Sequence, residues 1–289
     1  MGCGGFSGAR IDSGRAVIMW LPMTLREGLK RIPGIRRAVC WIRSLSYRFF
    51  CPVCNQRVKA FHPLGRFFTD NKKKYGWPYK PEEMETINVA HFSCPHCEAA
   101  DRYRLYALYL SRRLPAAGSG GTRELLEFAP HGVFSRFVRF FPGIRFRTAD
   151  LFMTGVDDRV DITDMKIYAD GRFDVFICSH VLEHVADDRK ALTELFRILK
   201  PGGWGILMAP INLVAKEIDE DPAVTDVGER WRRFGQDDHV RLYTKTGFIE
   251  RVKNAGFTLQ QYGIDFFGAG IFQRCGITPQ SVLYVVEKN

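Results

Sequence analysis

Phe173-Asp-Val-Phe-Ile-Cys-Ser-His-Val-Leu-Glu-His-Val185 is the stretch that decides the fold. An apolar run of the buried-strand type passes straight into polar residues, and a helical pattern follows near 187–199. Downstream, Leu199-Lys-Pro-Gly-Gly203 leads into a second apolar strand, Trp204-Gly-Ile-Leu-Met-Ala209. Upstream, Glu124-Leu-Leu-Glu-Phe-Ala129 predicts a strand, 133–140 a helix and 144–149 a further strand. Strands that alternate with helices imply a parallel sheet covered on both faces. Thr244 is placed to cap a helix carrying Phe248, Ile249, Val252 and Ala255, with Gly256 at its end. Strands near 257–262 and 281–286 then complete the sheet. Ala99–Leu114 reads as a helix bearing Tyr103, Tyr106 and Leu110, an aromatic stripe of the kind more often found in cores than on base-stacking surfaces.

Two knuckles precede that helix, Cys51-Pro-Val-Cys54 and Cys94-Pro-His-Cys97. The C-x2-C spacing lets both thiolates of a pair reach one tetrahedral ion, so the two pairs make a four-cysteine zinc site. His62, His91 and His96 lie near enough in sequence to stand in for a cysteine. Four protein ligands leave no open coordination position, so the Zn2+ is structural. The gap between the pairs places an inserted loop or small hairpin over Pro63–Pro81. Eight cysteines, two pairs and four singles, suit metal binding in a reducing compartment better than a disulfide framework. The protein is therefore read as cytoplasmic.

The element order, with Leu182-Glu183-His184 after one strand and Lys200-Pro-Gly-Gly203 before the next, resembles the class I S-adenosylmethionine-dependent methyltransferases, particularly the type 11 branch. Cys94-Pro-His-Cys97 followed by Asp101-Arg-Tyr-Arg-Leu105 is similar to bacterial methyltransferases with an N-terminal zinc ribbon. The resemblance implies an α/β fold, a Rossmann-like seven-stranded methyltransferase sheet with a small N-terminal zinc-binding module, and S-adenosylmethionine as cofactor. In a doubly wound sheet the ligand crosses the carboxyl ends of the strands. The first turn is Glu127-Phe-Ala-Pro-His-Gly132. It keeps the expected acid as Glu127 and one glycine as Gly132, while Ala129 and His131 stand where glycines are common. Asp150 ends the second strand at the spacing of a ribose-binding carboxylate. By resemblance it bonds the ribose hydroxyls, and Asp161 or Ile162 contacts the adenine. Asp150 and Asp164 can instead be capping or solvated loop residues. Ser179 and His180 follow the next strand where the transferred methyl is faced, and Glu183 and His184 are expected on the following helix. A sulfonium methyl needs little activation, so positioning dominates and a base matters only when the acceptor must lose a proton. His180 is the first candidate base and His239 the second.

The chain carries a net charge of +10. Most of the surplus lies in residues 1–50, where Ile35, Ala38, Val39, Ile42 and Leu45 form an apolar helical stripe beside Arg36, Arg37 and Arg43. Such a helix either docks on the body or meets an anionic partner, RNA or a membrane surface. No segment reaches the ~20 apolar residues of a transmembrane helix. Three regions follow: a basic leader and amphipathic helix at 1–50, the zinc-ribbon-like module with its helix at 51–114, and the methyltransferase domain at 122–289, divided by the linker 115–121. The methyl acceptor is not identified by any motif. A small-molecule or sugar-type acceptor is favoured over RNA, because Ser179-His-Val-Leu182 stands where base-amino methyltransferases carry Asn-Pro-Pro-Tyr. The glycine-poor turn also leaves open a non-catalytic binding module. Trp231, Phe234 and Tyr243, in or near the insertion 214–238, serve either as a lid over the acceptor or as packing.

Overall fold

A computed structural model of the chain describes residues 48–114 and 121–289. The basic helix expected at 35–45 and nearly all of the leader and linker lie outside these residues. The described chain begins with a hairpin, β1 (Phe49–Cys51) and β2 (Gln56–Val58), followed by α1 (Arg66–Lys74) and α2 (Asp101–Arg113). Then come β3 (Arg123–Phe128), α3 (Gly132–Arg139), β4 (Ile144–Asp150), β5 (Asp158–Arg159) and β6 (Phe173–Ser179). The next elements are α4 (Asp188–Ile198), β7 (Leu199–Met208), β8 (Ile211–Asn212), β9 (Asp219–Glu220) and α5 (Val227–Phe234). The chain closes with β10 (Arg241–Thr244), α6 (Lys245–Asn254), β11 (Thr258–Tyr262), α7 (Ile264–Phe267), α8 (Ala269–Cys275) and β12 (Leu283–Glu287).

Seven strands form the main sheet in the order β11-β12-β7-β6-β3-β4-β5. Only β12 runs against its neighbours; the other pairings are parallel. The order turns back between β3 and β6, so the carboxyl ends of β3, β4 and β6 open onto a common crevice, the place where doubly wound sheets hold ligands. This is the Rossmann-like methyltransferase sheet that the element order implied. The central strands are buried on both faces, and β6 reads as an almost continuous apolar run for that reason. A second sheet has three strands in the order β8-β10-β9.

The cysteine hairpin and the sheet share one apolar core, which runs from Cys51 and Cys94 through Leu105 and Tyr106 to Val285. Arg104, fully buried on α2, ties the two together. Its Nε donates to the Cys275 carbonyl (2.7 Å), Nη1 to those of Phe92 (3.0 Å) and Ala99 (2.9 Å), and Nη2 to those of His91 and Gly276. A buried guanidinium is tolerated only when its donors are met, and here five carbonyls meet them.

Three expectations change. Pro63–Pro81 holds helix α1 and not merely a loop or hairpin; it packs Phe67 edge-on against Trp231 of α5, 6.0 Å between ring centroids. Glu183 and His184 lie in a turn, because α4 starts only at Asp188, where the Asp187 side chain accepts from Lys190 N. Arg241 donates to the carbonyls of Leu182, Val185 and Ala186 and so holds this stretch out of the helix. Strand β7 starts at Leu199, so Lys200-Pro-Gly-Gly203 belongs to it, with an irregular register against β6 near Phe173 and Val175. Trp231, Phe234 and Tyr243 are buried packing residues.

Candidate functional site

A cavity of about 800 Å³ opens at the carboxyl ends of β3, β4 and β6. It is lined by Phe128 and Ala129 at the end of β3, by Asp150 and Phe152 at the end of β4, by Asp161 and Ile162 after β5, and by His180, His184 and Asp238. Of the residues expected at the site, Ala129, Asp150, Asp161, Ile162 and His180 line this cavity, whereas Glu127, Gly132, Ser179 and His239 do not.

Each placement follows from the local backbone. Ala129 has φ +46°, in the left-handed region where glycine is at ease, so the chain makes the turn of a glycine loop with an alanine in it. His131 needs no such freedom: its φ is −101° and its ring stacks on Tyr103 of α2 at 4.7 Å. Helix α2 thus roofs the turn, and Tyr106 Oη pairs with Ser179 Oγ at 2.8 Å. Glu127 is buried and accepts from Ser135 Oγ at 2.6 Å, which pins the start of α3. Burial pushes its carboxyl up to about 7, with the bonds from Ser135 and His131 N and the charge of Arg139 opposing the shift.

Asp150 accepts the Phe152 and Met153 amides on Oδ1, at 2.7 and 2.6 Å, and so caps its own turn. Asp161 accepts from Thr163 N and Oγ1, both at 2.8 Å, while Ile162 is buried against the cavity. His180 has φ +56° and its backbone N–H donates to Met208 O at 2.9 Å, turning the chain sharply off β6 where the residue lines the cavity. Burial and nearby Arg102 hold this imidazole below its ordinary value, and the Glu183 carboxylate opposes them. Burial likewise holds His239 down, at about 4. His184 differs: burial disfavours its charge, yet the bond to Asp238 and the Glu183 charge push it up to about 9. Sequence reasoning named the Leu-Glu-His segment but missed the pairing of His184 Nδ1 with the Asp238 carboxylate at 3.3 Å.

At the other end of the chain segment, Cys51 and Cys97 Sγ lie 3.7 Å apart, Cys54 and Cys94 Sγ 3.8 Å apart, and all four within 4.8 Å of one another. Thiolates bound tetrahedrally to zinc at ~2.3 Å stand roughly 3.8 Å apart, so this donor set and spacing fit that ion. Among the described residues no histidine joins this cluster.

Sheet order, crevice and cavity define a class I S-adenosylmethionine-dependent methyltransferase. The chain belongs to the methyltransferase-domain family, whose model matches residues 94–262. No curated protein matches it. Similar solved structures include an S-adenosylmethionine-dependent methyltransferase from Archaeoglobus fulgidus, 13% identical, covering 64% of this chain and 94% of that one at a TM-score of 0.41. YcgJ of Bacillus subtilis is 16% identical, covering 64% and 99% at 0.39. The phosphoethanolamine N-methyltransferase 2 of Haemonchus contortus, solved with phosphomonomethylethanolamine and S-adenosylhomocysteine, is 12% identical and covers 63% and 52% at 0.41.

Proposed function

We propose that the enzyme methylates a small-molecule acceptor held in the same cavity as S-adenosylmethionine. The observation that carries this reading is a cavity of about 800 Å³ lined both by strand-end residues and by His180, His184 and Asp238. Its volume lies within the ~300–1,000 Å³ of small-molecule sites. Asp150 Oδ2 takes the ribose hydroxyls, Ile162 packs on the adenine with Asp161 beside it, and the turn from Ala129 to Gly132, braced by Glu127, takes the methionine portion. Ser179, tethered by Tyr106, fixes the end of β6 below the sulfonium. His180 faces the acceptor and serves as base where the acceptor loses a proton. His239 supports His184 from behind, with ring centroids 4.7 Å apart. The four cysteines hold a structural zinc.

Calorimetric titration with S-adenosylmethionine, repeated on Asp150→Ala, tests the cofactor assignment. Saturable binding that weakens at least tenfold in the variant is expected. Equal affinity in both proteins would remove Asp150 from the site. A screen of acceptors with labelled methyl groups follows. His180→Ala is expected to lower kcat while leaving cofactor affinity unchanged, and equal loss of both counts against a base. Salt-sensitive RNA binding by the whole chain, abolished by removing residues 1–47, would replace the small-molecule acceptor with RNA.

A further inference from the structure

Beside His184, which lines the cavity, sits a carboxylate that the methyl transfer does not use. The Glu183 side chain is 0% exposed. Neither of its oxygens receives a hydrogen bond among the described residues. His180 Nδ1 stands 3.2 Å from Oε1 without the alignment of a hydrogen bond. An ionised carboxylate kept from water without donors costs several kcal/mol unless a cation offsets it.

Two imidazoles converge on the same point. His184 has Nδ1 turned to the Asp238 carboxylate at 3.3 Å, which leaves Nε2 directed to Glu183 Oε1 at 3.9 Å. At 3.9 Å that nitrogen is too far to donate a hydrogen bond to Oε1, and a cation bound there takes the place of the proton that Asp238 and Glu183 favour on this ring. His239 is buried, and its Nδ1 has no partner among the described residues. One oxygen of Glu183 and one nitrogen from each histidine lie within 4.8 Å of one another.

The backbone holds the set in place. Val240 N donates to Glu183 O at 2.9 Å, and Arg241 grips the carbonyls of Leu182, Val185 and Ala186. The turn bearing Glu183 and His184 is thereby fixed against the segment bearing Asp238 and His239.

We infer that Glu183, His184 and His239 form a binding site for one divalent first-row transition cation beside the methyl-donor cavity. Two imidazoles and a carboxylate are a donor set that such ions accept, with coordination positions left open for water or a substrate oxygen. Of the three ligands His184 lines the cavity, so water or a substrate oxygen would reach the ion from that side. Asp238 is the outer partner that orients His184 and fixes which nitrogen is free, the arrangement found behind most metal-bound histidines. The ligand atoms stand wider than the ~3.3 Å between ligands of a bound tetrahedral ion, so the cation draws them together by about 1 Å.

Cobalt(II) titration of the full chain, purified with its zinc, tests the site. The expected result is one equivalent of cobalt with visible d–d absorption and no near-ultraviolet thiolate charge-transfer band. Glu183→Gln is expected to abolish that absorption. Asp238→Asn, a change at a half-exposed surface position that leaves the core intact, is expected to weaken cobalt binding about 10–100-fold. The inference is overturned if wild-type protein takes up no cobalt, if the only signal is the charge-transfer band of the cysteines, or if Asp238→Asn binds as tightly as wild type. Cofactor titration of the same samples is a separate readout, so failure of the cation site and failure of the methyl-donor site are told apart.

Discussion

Ala129 shows how a single residue records the shape of the site. Holding an alanine at φ +46° costs about 1–2 kcal/mol. Glycine there would add about 0.4–1 kcal/mol of unfolded-chain entropy. The strain outweighs the entropy, so Ala129→Gly is expected to stabilise the protein by up to about 1 kcal/mol in urea unfolding, and a lower midpoint would show that the turn is unstrained. Glu127 gives a pH prediction. Its folded pKa of about 7 exceeds the ordinary 4.5, so between those values the folded protein keeps a proton that the unfolded chain has released. Stability therefore falls as pH rises through that window. Glu127→Gln keeps an acceptor for Ser135 Oγ and loses the titration, so the gap between urea midpoints at pH 4.5 and pH 8 should narrow; an unchanged gap assigns it to other groups. That Asp150 and His180 line the cavity was legible because each stands at a strand end, a fixed address in this topology, whereas Asp161 and Ile162 follow the two-residue β5, which leaves no period, and were reached only through the family resemblance. The His184–Asp238 pair was not legible, since it joins residues 54 apart whose meeting depends on Arg241 gripping a turn. Neither the interval nor the grip leaves a periodic trace in the sequence.

At the scale of elements, the strands were readable where burial on both faces made them almost continuously apolar, as in β6 and the latter half of β7. Helix α1 was not readable, because Arg66–Lys74 buries no residue and so shows no apolar period. Helices α7 and α8 were likewise unread: Gly268, at φ +96°, separates two short helices that carry only one and two buried residues. Inside the sheet, Gly205 of β7 lies opposite Phe176 of β6, and a Cβ there would come within 2.5 Å of the ring. Gly205→Ala is expected to destabilise by about 1–3 kcal/mol, the usual cost of overpacking. Adding Phe176→Leu should recover part of that loss; a double variant no better than the single one would place the cost in the backbone.

On the scale of the whole molecule, the shared core decides how metal loss is felt. Since Cys51 and Cys94 belong to the same apolar cluster as the sheet, chelation of the four-cysteine site should not melt the hairpin alone. Scanning calorimetry is expected to show one transition, lowered by more than ~10 °C, given ~2–4 °C per kcal/mol for a chain of this order of size and a metal contribution of several kcal/mol. A separate early transition would mean that the hairpin is an independent unit. Saturating S-adenosylmethionine should raise the same transition, by about 2.7 kcal/mol of linkage at a hundredfold excess over Kd.

The Arg104 clasp also sets an order of events during synthesis. Its Nε partner, the Cys275 carbonyl, lies 171 residues downstream. A ribosome adding ~5–20 residues per second needs roughly 10–35 s to cover that distance. For that interval the four thiols and the buried face of α2 have emerged while the segment that seals them is still unmade. These four cysteines are thus translated by residue 97 of 289 and enclosed only near the end of the chain, and a metal captured early in synthesis would shield them from oxidation.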